Sequence, residues 1–134
     1  MVFPQRAVAE DTFQVVPPIV AAAATAYQRA RSIEKEQLAL MARHDLLGDW
    51  SDDVRATVLE ARARIHEARE ARARFRAQVE QFVVALRTAR DPLSAVLRHT
   101  RSMVQLLERT GAIDTDDGWL EAEVLEWAIE TYES

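Results

Sequence analysis

The stretch from Ser51 to Asp91 constrains the fold of this chain more than any other part. Neither glycine nor proline occurs between Val54 and Arg90, whereas alanine and arginine, which favour helices, are abundant. Ser51 is a good N-cap residue, and the proline after Asp91 ends the stretch because its ring cannot continue the backbone hydrogen bonds. The sequence therefore predicts a single helix, which at 1.5 Å per residue would be roughly 57 Å long.

Apolar residues recur along this helix at alternating spacings of four and three over five heptads, with one break at Arg72. This is the pattern of a helix that packs lengthwise against a neighbouring helix. At the break, the stem of Arg72 either lies along the seam with its head at the surface, or the head pairs with a buried carboxylate. The predicted seam consists of Val54, Val58, Ala61, Ile65, Ala68, Phe75, Val79, Phe82, Leu86 and Ala89.

Three further helices are predicted from proline, glycine and capping residues. The first runs from Pro18 to about Leu47 and ends at Gly48, so that a short link makes an antiparallel hairpin with the long helix. The third runs from Pro92 to about Thr110 with Asp91 as its cap. The fourth runs from Asp116 or Asp117 to near Tyr132. The predicted buried face of the first helix consists of Ile19, Ala23, Ala26, Ala30, Ile33, Leu40 and Leu47. That of the third consists of Leu93, Val96, Leu97, Thr100, Met103, Val104 and Leu107, and that of the fourth of Leu120, Val124, Trp127 and Ala128.

These elements predict an all-α fold. We expect an elongated helical bundle of three to four helices, built on the long antiparallel hairpin, with an irregular N-terminal arm. The arm comprises residues 1–17, and residues 18–134 form a single helical-bundle domain, a size that permits one real core. The arm is too apolar for a purely solvated tail, so it would dock either on its own bundle or on a neighbouring subunit, with simple disorder as the remaining alternative.

The composition excludes several classes of protein. There are no cysteines, so disulfides, thiolate chemistry and zinc ribbons are excluded. No window of 18 apolar residues exists, which argues against a membrane span. The apolar run from Ile19 to Ala26 is a poor signal peptide because the residues before it are not basic and because Pro17-Pro18 stands where the hydrophobic region should be continuous. We therefore expect a cytoplasmic protein.

Charge is distributed unevenly along the chain. Seven arginines and three glutamates lie between Arg55 and Arg76, whereas residues 114–134 hold eight acids and no basic residue. Residues that flank a helical seam select its partner, and two parallel copies of the long helix would oppose arginine with arginine. An acidic neighbour is therefore favoured. The basic face consists of Arg62, Arg64, Arg69 and Arg76, and the acidic ridge of the fourth helix consists of Glu123, Glu126, Glu130 and Glu133.

Two neighbours would satisfy the basic face. The acidic ridge can fold back on it, within one chain or from a second copy. Charge would then set orientation while apolar burial supplies stability, since an exposed ion pair contributes only about 0–1 kcal/mol. Alternatively, the Arg-rich face of residues 55–76 stays open and binds phosphates, as in a nucleic-acid-binding accessory subunit. The net charge of −5 weighs against this second interpretation.

Catalytic and metal-binding patterns are lacking, so we predict no catalytic, cofactor or metal residues. The histidines, His44, His66 and His99, lie on different predicted helices, and only His66 has a carboxylate at helical spacing, Glu70. The segment from Asp114 to Gly118 has the wrong alternation for a calcium loop, and it is better interpreted as a turn with a helix cap. No phosphate loop, nucleophile elbow or dinucleotide motif occurs.

The run Arg87-Thr88-Ala89-Arg90-Asp91-Pro92-Leu93 resembles the phosphoacceptor box of two-component histidine kinases, in which a histidine opens a run that ends in Asn/Thr-Pro-Leu. The Ser94-Ala95-Val96-Leu97 that follows also suits that box. However, Arg87 stands at the position of the histidine, and no ATP-binding domain follows. The resemblance implies at most a helical dimerisation module without phosphotransfer.

The function we predict is that of a non-enzymatic interaction or structural subunit, which self-associates or docks into a larger protein assembly. Nucleic-acid binding and the degenerate kinase-like dimerisation module are the alternatives. Large aromatic side chains are the usual anchors of interfaces, although for each of them taken singly a core role is the more common one. The residues chosen to face a partner are Phe13, Trp119, Trp127, Ile129 and Tyr132.

Overall fold

A computed structural model describes residues 16–48, 51–114 and 118–134. The regular secondary structure of these segments is entirely helical: α1 (Pro18–Leu47), α2 (Asp52–Thr88), α3 (Leu93–Arg109) and α4 (Trp119–Glu133). The predicted all-α bundle built on a helical hairpin is thereby confirmed. Residues 1–15 of the predicted arm, including Phe13, lie outside the described residues.

The ends of α1 and the start of α2 follow the capping residues in the sequence. Gly48 adopts a φ of 65°, which suits glycine after the last turn of a helix. Its N–H donates to the carbonyl of His44 at 3.1 Å. At the start of α2 the hydroxyl of Ser51 accepts a hydrogen bond from the N–H of Val54 at 3.4 Å. Local chemistry therefore sets both sides of the hairpin turn.

The long helix ends at Thr88, earlier than the predicted Asp91. Arg90 adopts a φ of 64°, and this left-handed residue closes a Schellman motif. The N–H groups of Arg90 and Asp91 donate to the carbonyls of Arg87 and Leu86 at 2.9 and 3.1 Å. Asp91 is the last residue of this motif and precedes the N-cap of α3, so the prediction that Asp91 caps α3 is wrong. The N-cap of α3 is Pro92, which has no side-chain hydrogen bond to the helix.

The last helix begins later than predicted. Gly118 is its N-cap and has a φ of 83°, a left-handed conformation that no continuous right-handed helix can contain. The helix therefore starts at Trp119 rather than at Asp116 or Asp117, which both lie outside the described residues.

The described residues form two compact units. The four-helix unit contains the described part of Met1–Thr25 together with Phe75–Ser134, and the hairpin unit contains Ala26–Arg74. Helices α1 and α2 each contribute residues to both units. The single domain expected over residues 18–134 stays a prediction.

The four-helix unit encloses a well-packed apolar core. The hydroxyl of Thr25 on α1 donates to the carbonyl of Ala112, just beyond α3. Thr100 is fully buried, and its hydroxyl donates to the carbonyl of Val96 in the preceding turn at 2.7 Å. The largest fully buried side chains are Phe75, Val79 and Val83 of α2, Val96, Thr100, Val104 and Leu107 of α3, and Leu120 and Val124 of α4.

In the hairpin unit, α1 and α2 lie antiparallel with small residues between them. Ala30 of α1 forms a buried cluster with Ala68 and Ala71 of α2. Beside this cluster, Nε of Arg69 lies 3.4 Å from Oε1 of Glu34. Alanine, with its single methyl group, leaves room at these positions for the two backbones to approach closely.

The predicted seam of α2 is correct as far as Val79, and the buried face differs from it beyond that residue. Ala71 occupies the buried position at the break, and Arg72 beside it is half-buried. Beyond Val79 the buried residue is Val83, whereas the predicted Phe82 is only half-buried. Successive buried residues are then four apart, so each step moves the buried position by about 40° around the helix. The prediction is therefore wrong at the end of the seam, where Leu86 is half-buried and Ala89 is exposed.

The predicted buried face of α1 is also wrong in its first half. Ile19 is 64% exposed and Ala26 is exposed. The run of alanines gives little contrast in size between the faces of the helix, so periodicity alone does not fix its rotation. In this half the buried residues are Val20, Ala24, Tyr27 and Ala30, and the side chain of the predicted Leu47 is outside the part that the structure describes. On α3 the predicted face is confirmed except that Leu93 and Leu97 are half-buried, and on α4 all four predicted residues are buried.

Candidate interaction surfaces

Trp127 anchors α4 to α2 inside the four-helix unit. Its ring lies edge-on to that of Phe75, with centroids 5.9 Å apart and an interplanar angle of 71°. The guanidinium carbon of Arg76 lies 5.7 Å from the centre of the same ring. Trp127 is only 2% exposed. It therefore belongs to the core, which corrects its choice as a residue that faces a partner.

Within this unit, the acidic ridge contacts the basic face through Glu130 and Arg76. Nη2 of Arg76 lies 2.8 Å from Oε2 of Glu130, and its Nε lies 3.2 Å from Oε1 of Glu80 on its own helix. Arg76 therefore joins a cation–π contact to two ion pairs. Of the other ridge residues, Glu123 is half-buried, whereas Glu126 and Glu133 are exposed.

Three arginines of the hairpin unit form ion pairs with carboxylates of the same unit. Arg69 pairs with Glu34 of α1, as described above, and Nη2 of Arg64 lies 2.8 Å from Oε1 of Glu60, one turn earlier on α2. Arg74 lies 3.6 Å from Glu70 in the same way. Arg62, the remaining member of the basic face, is exposed. Much of the positive charge on α2 is thus balanced locally.

Arg87 has a structural role that the sequence reasoning missed. Its Nη1 lies 3.0 Å from the carbonyl oxygen of Thr131, 3.3 Å from that of Tyr132 and 3.1 Å from that of Ser134. Carbonyl groups in the last turn of a helix have no partner within that helix, and they carry its negative dipole end. The residue at the histidine position of the kinase-like run therefore stabilises the end of α4. In the sequence, the basic charge of Arg87 is the one feature that could have suggested this role. The residues around Arg87 give no indication that it contacts the end of a helix more than 40 residues later in the chain.

The remaining candidates for partner contact occupy different environments. Trp119 and Tyr132 are half-buried. The hydroxyl of Tyr132 donates to the carbonyl of Asp91 at 3.2 Å, which ties α4 to the turn before α3. Ile129 is 37% exposed. Of these three, Ile129 is the one whose apolar side chain faces solvent most clearly.

A groove runs between α3 and α4 beside Ile129. It has a volume of about 290 Å³ and is lined by Ser94, Leu97, Arg98, Arg101 and Leu125. Nε of Arg101 lies 2.9 Å from Oε1 of Glu121, which holds the two antiparallel helices in register. Ile129 follows Leu125 by one helical turn and so extends the apolar strip along α4.

A second groove lies along one edge of the hairpin unit. Its volume is about 360 Å³, and it is lined by Ala26, Arg29, Ala30, Ile33, Arg64, Glu67 and Ala68. Leu40 is seven residues beyond Ile33 and therefore continues the same edge of α1, and both side chains are half-buried. We call the surface formed by this groove and Leu40 the hairpin edge.

Metal chemistry has no evident site among the described residues, in which no group of three or more histidine, aspartate or glutamate side chains could hold an ion. Nε2 of His66 lies 3.1 Å from Oε1 of Glu70, and both side chains are well exposed, as expected of a surface pair one turn apart. His44 is half-buried on α1.

Comparisons with known proteins add no family assignment, because no family model, curated protein or solved structure matches the chain. Across the described segments, none of the helices combines the length and apolar character that a membrane crossing requires.

Proposed function

We propose that this protein is a non-enzymatic helical interaction subunit that acts in the cytoplasm by self-association or by docking into a larger protein assembly. The observation that carries the proposal is the hairpin edge. There, Ile33 and Leu40 are half-buried, and Ile33 lines an open groove together with the buried Ala30 and Ala68.

Among the described residues, the hairpin unit consists of two helical segments, and no third element of this unit covers such an edge. A helix buries an apolar stripe by packing it against another element, and two helices can enclose only the side chains that lie directly between them. A further helix laid along Ile33 and Leu40 would fill the groove and remove both side chains from water. Binding of an amphipathic helix in an apolar groove is a common mode of protein recognition.

The charges around the edge favour protein over nucleic acid. The groove is lined by Arg29 and Arg64 and by the acidic Glu67, and Arg64 is paired with Glu60. A phosphate backbone would meet this negative charge and would have to compete for the paired arginine. A helix with side chains of both signs has no such conflict.

Photo-cross-linking tests the proposal whether the partner is a second copy of this chain or a different protein. Ala26 lines the groove and is exposed, so a photoreactive residue at this position should form a covalent adduct with a protein of defined mass in the cells of origin. The matched control is Ala63, an exposed alanine of α2 that does not line the groove. A specific adduct at Ala26 alone supports the proposal. Equal labelling at both positions, or none at Ala26, contradicts it.

A further inference from the structure

We propose that the groove between α3 and α4 binds the same groove of a second copy of this chain, so that a two-fold symmetric dimer forms. This inference rests on the proposed function and names one of its partners. The surface lies within the four-helix unit and is distinct from the hairpin edge.

The centre of this surface is apolar. Leu97 of α3 and Leu125 of α4 line the groove, and Ile129 extends it by one turn. Leu97 and Leu125 are half-buried, and Ile129 is among the exposed large apolar residues of the chain. A partner that covers this strip would bury apolar area, which is the main favourable term in protein association.

The two flanks of the strip carry opposite charge. On the α3 side, Arg98 and Arg101 line the groove. On the α4 side, Glu126 and Glu133 are exposed on the turns that carry Leu125 and Ile129. Arg101 already pairs with Glu121, whereas within the described segments no carboxylate pairs with Arg98 and no arginine pairs with Glu126.

These flanks make the surface complementary to itself. A two-fold axis parallel to the strip places the arginine flank of each copy opposite the glutamate flank of the other, and the two apolar strips then face each other. Dimers of this kind use the same patch on both subunits, so complementarity on one side guarantees it on the other. A partner with a single sign of charge would match only one flank, which is why a second copy is the occupant we infer.

The register of α3 and α4 makes the charge contact feasible. The helices are antiparallel, and the Arg101–Glu121 pair marks the same level on both. Arg98 lies three residues before Arg101, which is about 4.5 Å along the axis at 1.5 Å per residue. Glu126 lies five residues after Glu121, which is about 7.5 Å in the same direction because the helices are antiparallel. The difference of about 3 Å is within the reach of an arginine side chain. Each dimer would therefore contain two Arg98–Glu126 contacts.

A charge-swap experiment tests this geometry. Sedimentation equilibrium of the full chain should give a mass of twice 15.2 kDa for the wild type. Arg98→Glu and Glu126→Arg should each raise the dimer dissociation constant by on the order of tenfold or more, because attraction becomes repulsion at both contacts. An equimolar mixture of the two variants should restore dimerisation, since both contacts of the mixed dimer join opposite charges.

The second part of the test replaces exposed apolar residues with arginine. Ile129→Arg should also abolish the dimer, whereas Ile19→Arg, which changes an exposed isoleucine of α1, should leave it intact. Circular dichroism would show that all the variants remain folded. A wild type with the mass of a single chain overturns the inference. So does a dimer that none of the α3–α4 variants weakens, or a pair of charge variants that mixing does not restore. The cross-linking at Ala26 tests the hairpin edge and does not depend on this dimer. If the dimer is not found, the proposed function can therefore still be supported by an adduct at Ala26.

Discussion

Arg76 lies over the buried ring of Trp127 and at the same time pairs with Glu130 one turn further along α4. One side chain of α2 thus contacts both an apolar and an acidic residue of the last helix. The acidic ridge was expected to meet the basic face of α2 through charge. In the folded chain that charge contact accompanies burial of Trp127, and burial is the larger stabilising term.

The ion pair itself should contribute little. A double-mutant cycle with Arg76→Gln and Glu130→Gln should give a coupling energy of about 0–1 kcal/mol, since both side chains are partly exposed to water. Raising the salt concentration should reduce that energy further. A coupling of several kcal/mol in chemical denaturation would mean that the pair is desolvated, in conflict with its exposure.

The buried face of α2 can be tested with two phenylalanines. Phe75→Ala should cost roughly 3–5 kcal/mol of unfolding free energy, because Phe75 is fully buried and its removal leaves a cavity. Phe82→Ala should cost clearly less, because Phe82 is only half-buried. Urea denaturation of both variants decides between this register and the one that the heptad pattern predicts. Equal losses would favour the heptad pattern.

The end of α2 stores backbone strain at Arg90. A left-handed conformation costs a residue other than glycine about 1–2 kcal/mol, and glycine loses roughly 0.5–1 kcal/mol through its greater freedom when unfolded. Arg90→Gly should therefore raise the unfolding free energy by a net amount of about 0.5–1 kcal/mol. Arg90→Ala is the matched control, since it removes the same side chain but keeps the Cβ atom, and it should give no gain. If Arg90→Ala raised the unfolding free energy and Arg90→Gly left it unchanged, backbone strain at Arg90 would be contradicted.

The nucleic-acid alternative also predicts a measurable effect. The local ion pairs of Arg64, Arg69, Arg74 and Arg76 leave Arg55 and Arg62 as exposed arginines without an ion pair to the described residues. We therefore expect only weak binding to generic RNA or DNA at low salt, measured by fluorescence anisotropy. Tight binding whose affinity falls steeply with salt, and which Arg55→Gln with Arg62→Gln abolishes, would favour the alternative.

The predictable parts of this fold are those that local chemistry decides. The ends of α1, the cap at Ser51 and the long glycine-free α2 all follow from single residues and from helix propensity. The rotation of α1 was not predictable, because an alanine-rich segment has no strong apolar face. The role of Arg87 was not predictable either, since it depends on contacts with residues far along the chain. Of the candidate partner residues, Ile129 keeps an exposed apolar side chain, whereas Trp127 is buried because α4 packs on α2 in the same chain.

We propose that this chain works by binding protein through its exposed apolar surfaces, and that a second copy of itself is one partner. The most direct measurement is the mass of the purified wild-type protein by light scattering over a wide range of concentrations. The account predicts a mass that rises to twice 15.2 kDa as the concentration increases. A constant mass of one chain, together with no protein adduct at Ala26, would contradict it.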